Sequence, residues 1–133
     1  MTTAVLERKI TVAEIRAKFP HPRVANDRNE GRAHYYCIAG ALVLSWRNTP
    51  LERATTRERF PDRDVIAQVL REANPVFEGE GMTMLAQYQA DCITQSNDER
   101  KFGTGWQYLN LALTWDGNDP GDLTPPRIRK KAS

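Results

Sequence analysis

Cysteine is scarce in this chain: Cys37 and Cys92 are the two, each inside an apolar helical pattern. That setting suits reduced thiols in a core. A structural zinc site takes four ligands in two close pairs, and the sequence offers one such pair, His34 with Cys37, so no metal is expected. Long apolar runs are also missing. The longest, about 14 residues, falls short of the ~20 that a bilayer-spanning helix needs. No charged N-terminal stretch followed by an apolar run and a cleavage site is present, so a cytoplasmic location without membrane is expected. Period-two alternation between hairpin turns is absent, which removes the signal for strands. There is no Gly-x-Gly-x-x-Gly or Walker-type loop. Gly103-Thr104-Gly105 is too short to be one and reads as loosening the chain before Trp106. No paired-carboxylate pattern is seen: Asp62 and Asp64 look like helix-start residues, and Asp116, Asp119 and Asp122 like turn formers. No cofactor is expected, and an enzyme is the less favoured reading.

Charge of one sign is lacking as well, with 19 basic and 17 acidic residues. Four of the basic ones, Arg127, Arg129, Lys130 and Lys131, follow Pro125-Pro126, so the body carries 15 basic against 17 acidic groups. A folded nucleic-acid reader presents a basic face from its folded part, which argues against one here.

What is present is a globular composition, 40% apolar and containing four Tyr, four Phe and three Trp in 133 residues, the length of one domain. Thr11 and Glu14 form a capping box, with Ile10 and Ile15 as a staple, so a helix begins at Val12. Its core stripe is Val12, Ile15 and Phe19, and Pro20 and Pro22 stop it. Asn26 to Arg32 reads as a charged loop. It leads into Ala33 to Trp46, apolar on nearly every side, which therefore has to be buried by its neighbours. Gly40 in its middle costs roughly 1 kcal/mol against alanine, which points to a close crossing there. Arg47 to Phe60 is a connector with room for a turn or two. Asp62 caps a helix whose stripe is Val65, Ile66, Val69, Leu70 and Ala73. From Met82 to Ser96, Leu85, Tyr88 and Cys92 share one face and Met82, Ala86, Ala90 and Ile93 an adjoining one. Asn97-Asp98 breaks that run. Phe102, Trp106, Leu109 and Leu113 mark the last helix, ended by Asp116-Gly117-Asn118.

The expected fold is all-α: an irregular bundle of four to five helices around a buried central helix, Ala33 to Trp46. Residues 1–10 form a flexible N-terminal segment, 11–117 a single helical domain, and 118–133 an extended basic tail. The order Tyr36-Cys37-Ile38-Ala39-Gly40-Ala41-Leu42, Glu72-Ala73-Asn74-Pro75, Asn97-Asp98 and Gly105-Trp106-Gln107-Tyr108-Leu109-Asn110-Leu111-Ala112-Leu113 resembles small uncharacterised helical proteins of bacteria and their phages. The resemblance covers Tyr36 to Trp115, agrees with a helical fold and implies no activity.

Three surfaces are candidates for function. A surplus of large rings, Trp46, Trp106, Trp115 and Tyr35 foremost, exceeds what a small core readily buries and points to an apolar patch for a partner protein or a second copy. This non-enzymatic interaction domain is the leading reading. The first alternative places a small anion or nucleotide, with hydrolysis open, on Arg28, Arg32 and His34, where a helix start offers free amides and a positive dipole end. His34 and Cys37 share a helix face, and His21 could complete a nucleophile or zinc set, but a thiol buried in a helix is the bland and preferred reading. The second alternative is weak, sequence-independent nucleic-acid binding by Arg127, Arg129, Lys130 and Lys131.

Overall fold

The structure is a computed structural model that describes residues 9–24 and 34–126. Within them lie six α-helices: α1 Val12–Lys18, α2 Ile38–Arg47, α3 Thr56–Arg59, α4 Arg63–Ala73, α5 Thr83–Asp98 and α6 Phe102–Thr114. Short 3-10 turns occupy Leu51–Arg53, Pro75–Glu78, Glu80–Met82 and Pro120–Leu123. No strand occurs among the described residues. The protein is thus an all-α helical bundle, with one helix more than the sequence led us to expect. No helix among the described residues is long and apolar enough to cross a membrane.

Local chemistry starts most of these helices. Thr11 accepts from the Glu14 amide while the Glu14 carboxylate accepts from the Thr11 amide, the expected capping box. Thr55 and Glu58 repeat that motif at α3, a signal present in the sequence but not read from it. Asp62 caps α4 by accepting from the Val65 amide. α5 packs chiefly on α4 and α6, while α2 touches every other helix.

The central element is shorter than Ala33 to Trp46. Cys37 is its N-cap, extended at φ −99° and ψ 175°, and the helix runs from Ile38. Tyr35 to Cys37 instead form an extended lead-in, whose peptide groups bond to chain on either side: the Arg23 amide donates to the Tyr36 carbonyl and the Cys37 amide to the Arg59 carbonyl. An apolar run looks the same to periodicity whether helical or extended, which is why the start was misplaced. Ile38 to Trp46 are buried without a break. The helix ends at Asn48, whose left-handed backbone (φ 55°) lets its amide reach back to the Leu44 and Ser45 carbonyls.

Gly40 is where another element comes closest. A Cβ built there would lie 2.0 Å from the Arg59 carbonyl oxygen, so the end of α3 rests directly on the backbone of α2.

Two further expectations are corrected. Asn97-Asp98 do not break α5 but form its last turn, which ends through Arg100 at φ 60°. Residues 118–126 are not an extended tail: the turn at Pro120–Leu123 returns to the bundle, burying Leu123 to 1% exposure in the core. The cause is local, since the Asp119 carboxylate accepts from the Gly121 amide and the Asp119 carbonyl from the Trp115 indole.

Candidate functional site

The four sequence blocks that carry the resemblance converge on buried polar brackets. Asn97, 1% exposed, accepts from the Ile38 amide and donates to the Arg23 carbonyl, both at 3.0 Å. Asn74 donates to the Ala112 and Trp115 carbonyls and accepts from the Val76 amide, pinning the end of α4 to the end of α6. Glu72 accepts from the Trp46 indole at 2.8 Å. Gly105 lies in α6 rather than in a loosened loop, with Ile38 Cδ1 2.7 Å from where its Cβ would be. Each bond satisfies a group that burial would otherwise leave costly. These residues are accounted for by packing.

At the start of the central helix, where an anion was expected, the amides are already engaged. His34 precedes α2 by four residues and is exposed. The amides that would have met an anion are taken: Ile38 donates to Asn97, Gly40 to the Cys37 sulfur and Ala41 to the Cys37 carbonyl. Arg28 and Arg32 lie outside the described residues, as do Arg127, Arg129, Lys130 and Lys131. Cys37 itself is 7% exposed, and burial pushes its thiol up to about 11, against a smaller opposing pull from the Gly40 and Ala39 amides. Such a thiol is a cap and a core group.

The tryptophans are not on the surface. Trp46, Trp106 and Trp115 are 9%, 3% and 6% exposed, so the core absorbs the ring surplus and these three do not form an outer patch. Trp115 packs on Phe77 with centroids 5.2 Å apart, and the Arg16 guanidinium covers Trp106 at 5.1 Å. Tyr35 is half-buried beneath Arg23, 4.5 Å from its ring centroid. For two of them a polar partner accompanies the burial: the Trp46 indole N–H donates to the Glu72 carboxylate and the Trp115 indole N–H to the Asp119 carbonyl.

The exposed apolar surface lies instead on α5, where Met84 and Tyr88, one turn apart, are 78% and 61% exposed. The sequence offered two adjoining apolar faces, Leu85, Tyr88 and Cys92 on one and Met82, Ala86, Ala90 and Ile93 on the other, and Ala86, Ala90 and Ile93 of the second are buried. The inward line is in fact Ala86, Gln89, Ala90, Ile93, Ser96 and Asn97. That choice is made by small residues: the alanines let α5 approach its neighbours, and a buried Gln and Asn do not register in an apolar pattern. Next to Tyr88, the half-buried Cys92 shares side-chain hydrogen bonds with Tyr88 and with Tyr108 of α6. Burial raises the Cys92 thiol above its ordinary range, and burial together with Cys92 pushes Tyr108 up to about 12. Neutral at ordinary pH, the three groups tie α5 to α6 behind the exposed pair. Flanking polar groups are held too, Gln87 by Asp64 at 3.1 Å and Asp91 by Arg63 at 3.4 Å. The face is a small apolar pair on a packed helical hairpin, with charged groups engaged at its edge.

Compared with protein-family models, with curated proteins and with solved structures, the chain shows no match. The functional reading therefore rests on the geometry.

Proposed function

We infer that this protein is a non-enzymatic interaction domain that associates with a second copy of itself across the exposed face of α5. The observation that carries this is the Met84–Tyr88 pair, the two large apolar side chains left exposed among the described residues. The pair is self-complementary. A two-fold axis between the two residues, relating antiparallel α5 helices, sets each Met84 against the partner's ring and each Tyr88 against the partner's thioether, a favourable sulfur–aromatic contact. The Cys92–Tyr108 support holds Tyr88 in place, which lowers the entropy lost on contact. A patch this small fits a transient contact at the low end of interface sizes. A cytoplasmic setting, where thiols stay reduced, suits the two free cysteines.

Sedimentation velocity over a wide concentration range, up to millimolar, tests the reading. The weight-average mass should rise with concentration in the wild type and stay monomeric in Met84→Glu/Tyr88→Glu, which should keep the wild-type far-ultraviolet circular dichroism and a cooperative melt, lowered by no more than the lost Tyr88–Cys92 bond. A wild type that is monomeric throughout, or self-association unchanged in the double variant, overturns it.

A further inference from the structure

The groove between α1 and α6 is walled by two helical faces. Val12 and Arg16 stand one turn apart on α1, and Gly103, Trp106, Gln107, Asn110 and Leu111 recur at helical spacing on α6. Its volume of about 480 Å³ lies in the range of small-molecule sites, roughly 300–1,000 Å³, whose mark is an apolar wall with a few convergent polar groups. Val12, Leu111 and Pro126 supply that wall together with part of Trp106.

Two donors face this wall without an acceptor. A buried indole N–H ordinarily finds one, as those of Trp46 and Trp115 do in Glu72 and Asp119. The N–H of Trp106, a residue only 3% exposed, has none among the described residues. Nor is it sealed from water, for the shut-in side-chain polar atoms left unpartnered there belong to Ser45, Arg59 and Gln89. The little of Trp106 that stays open therefore includes its nitrogen, and the space it opens on is the groove. Over the same ring sits the exposed Arg16 guanidinium, 5.1 Å from the centroid and in no ion pair with a described residue. It is the one charged side chain in the described lining, and no carboxylate shares the wall with it. Gly103, where a side chain would meet nothing within 4 Å, keeps the groove open at a helix start that no side chain caps. That dipole end favours the same negative charge.

We propose that this groove binds a small carboxylate with a flat apolar body, its oxygens taken by the Arg16 guanidinium and the Trp106 indole N–H and its body laid along Val12, Leu111 and Pro126. A guanidinium presents paired N–H donors that match a carboxylate. 2-Naphthoate is the probe, with 2-naphthamide as the control that keeps the body without the charge and acetate as the one that keeps the charge without the body. Isothermal titration reads affinity, and the indole N–H resonances of the full chain place the ligand. 2-Naphthoate should bind and shift the Trp106 resonance, assigned by its loss in Trp106→Phe. Those of Trp46 and Trp115, whose acceptors are internal, should stay nearly in place. Both controls should bind at least tenfold more weakly.

Arg16→Gln is the decisive variant, because the side chain is exposed and the fold should survive its loss while affinity for 2-naphthoate falls at least tenfold. Gln107→Glu, also at an exposed position, puts a negative charge in the wall and should weaken binding likewise. No binding of 2-naphthoate at millimolar concentration, equal binding of 2-naphthamide, a Trp106 resonance that stays still while ligand binds, or affinity unchanged in either variant overturns the proposal. The groove shares no residue with the Met84–Tyr88 pair, and carboxylate binding here does not depend on self-association.

Discussion

Alanine in place of three glycines should give three different answers, and the differences follow from what a Cβ would touch. The perturbation that matters most is Gly40→Ala. In an unobstructed helix it would be favourable by roughly 1 kcal/mol, since glycine has the larger entropy to lose. Here the new Cβ falls 2.0 Å from the Arg59 carbonyl oxygen, 2.6 Å from its carbon and 3.1 Å from the Arg59 Cα, all backbone atoms. The end of α3 must move away from α2. That movement breaks the contacts closing this seam, in which the Cys37 amide (3.1 Å) and thiol (3.5 Å) both donate to the same Arg59 carbonyl. Two buried hydrogen bonds at about 1 kcal/mol each, an unsatisfied donor at about 1–3 and overpacking at about 1–3 outweigh the propensity gain of about 1, leaving a net loss of about 3–7 kcal/mol. For a domain of this size that corresponds to a fall in Tm of roughly 10–25 °C. Gly105→Ala meets Ile38 Cδ1 at 2.7 Å, the far end of a flexible side chain, with Ser96 Cβ (3.5 Å) and the Ile93 carbonyl oxygen (3.7 Å) at ordinary contact distance, and should lose about 1 kcal/mol net. Gly103→Ala meets nothing within 4 Å and should be neutral or gain a few tenths, up to about 1 kcal/mol. Thermal unfolding followed by far-ultraviolet circular dichroism reads all three. A Gly40→Ala protein that melts at or above the wild type would refute the close approach, and equal shifts for all three would refute the reasoning from Cβ contacts.

Asn97→Ala removes both bonds of the buried amide and leaves the Ile38 N–H and the Arg23 carbonyl without it; a loss of about 3–4 kcal/mol is expected, read as a lower urea midpoint at unchanged slope. Cys37 predicts an alkaline limb of the stability curve. Burial raises its thiol from an ordinary 9.0 to about 11, so between those values the unfolded chain gives up the proton while the native chain keeps it, and stability falls as pH rises, by about 2–3 kcal/mol in all. Cys37→Ser keeps an acceptor at the cap and should flatten that limb in urea titrations at successive pH values; the same slope in both proteins would assign the loss elsewhere.

Legibility in the sequence followed the range of the interactions involved. Helix starts were readable where the cap lies within three residues, as at Thr11 with Glu14 and at Asp62 with Val65. Gly40 was readable as a close approach because a glycine inside an apolar helix has few other reasons to be there, though the partner, Arg59, was not. The start of α2 was not readable. It depends on Asn97, 59 positions away, accepting the Ile38 amide, and no local pattern carries that. Trp46 was misjudged for the same reason: burying its ring leaves an N–H that needs an oxygen, which Glu72 provides from another helix. The Met84–Tyr88 face went unseen because Gln89, Ser96 and Asn97, which do not register as apolar, complete the buried line with Ala86, Ala90 and Ile93 and leave Tyr88 outside it.

The Asn97 bracket has a consequence for how this fold tolerates change in length. One side chain holds the Arg23 carbonyl and the Ile38 amide, and the Arg23 amide also bonds the Tyr36 carbonyl at 2.7 Å, so the chain is fastened on both sides of residues 25–33 independently of what joins them. Closing a longer connection between fastened ends costs little, about 0.6 kcal/mol for each doubling. The bundle is therefore built to accept insertions at that point without refolding, and a graft of foreign sequence between Val24 and His34 is where this scaffold would carry cargo at least cost.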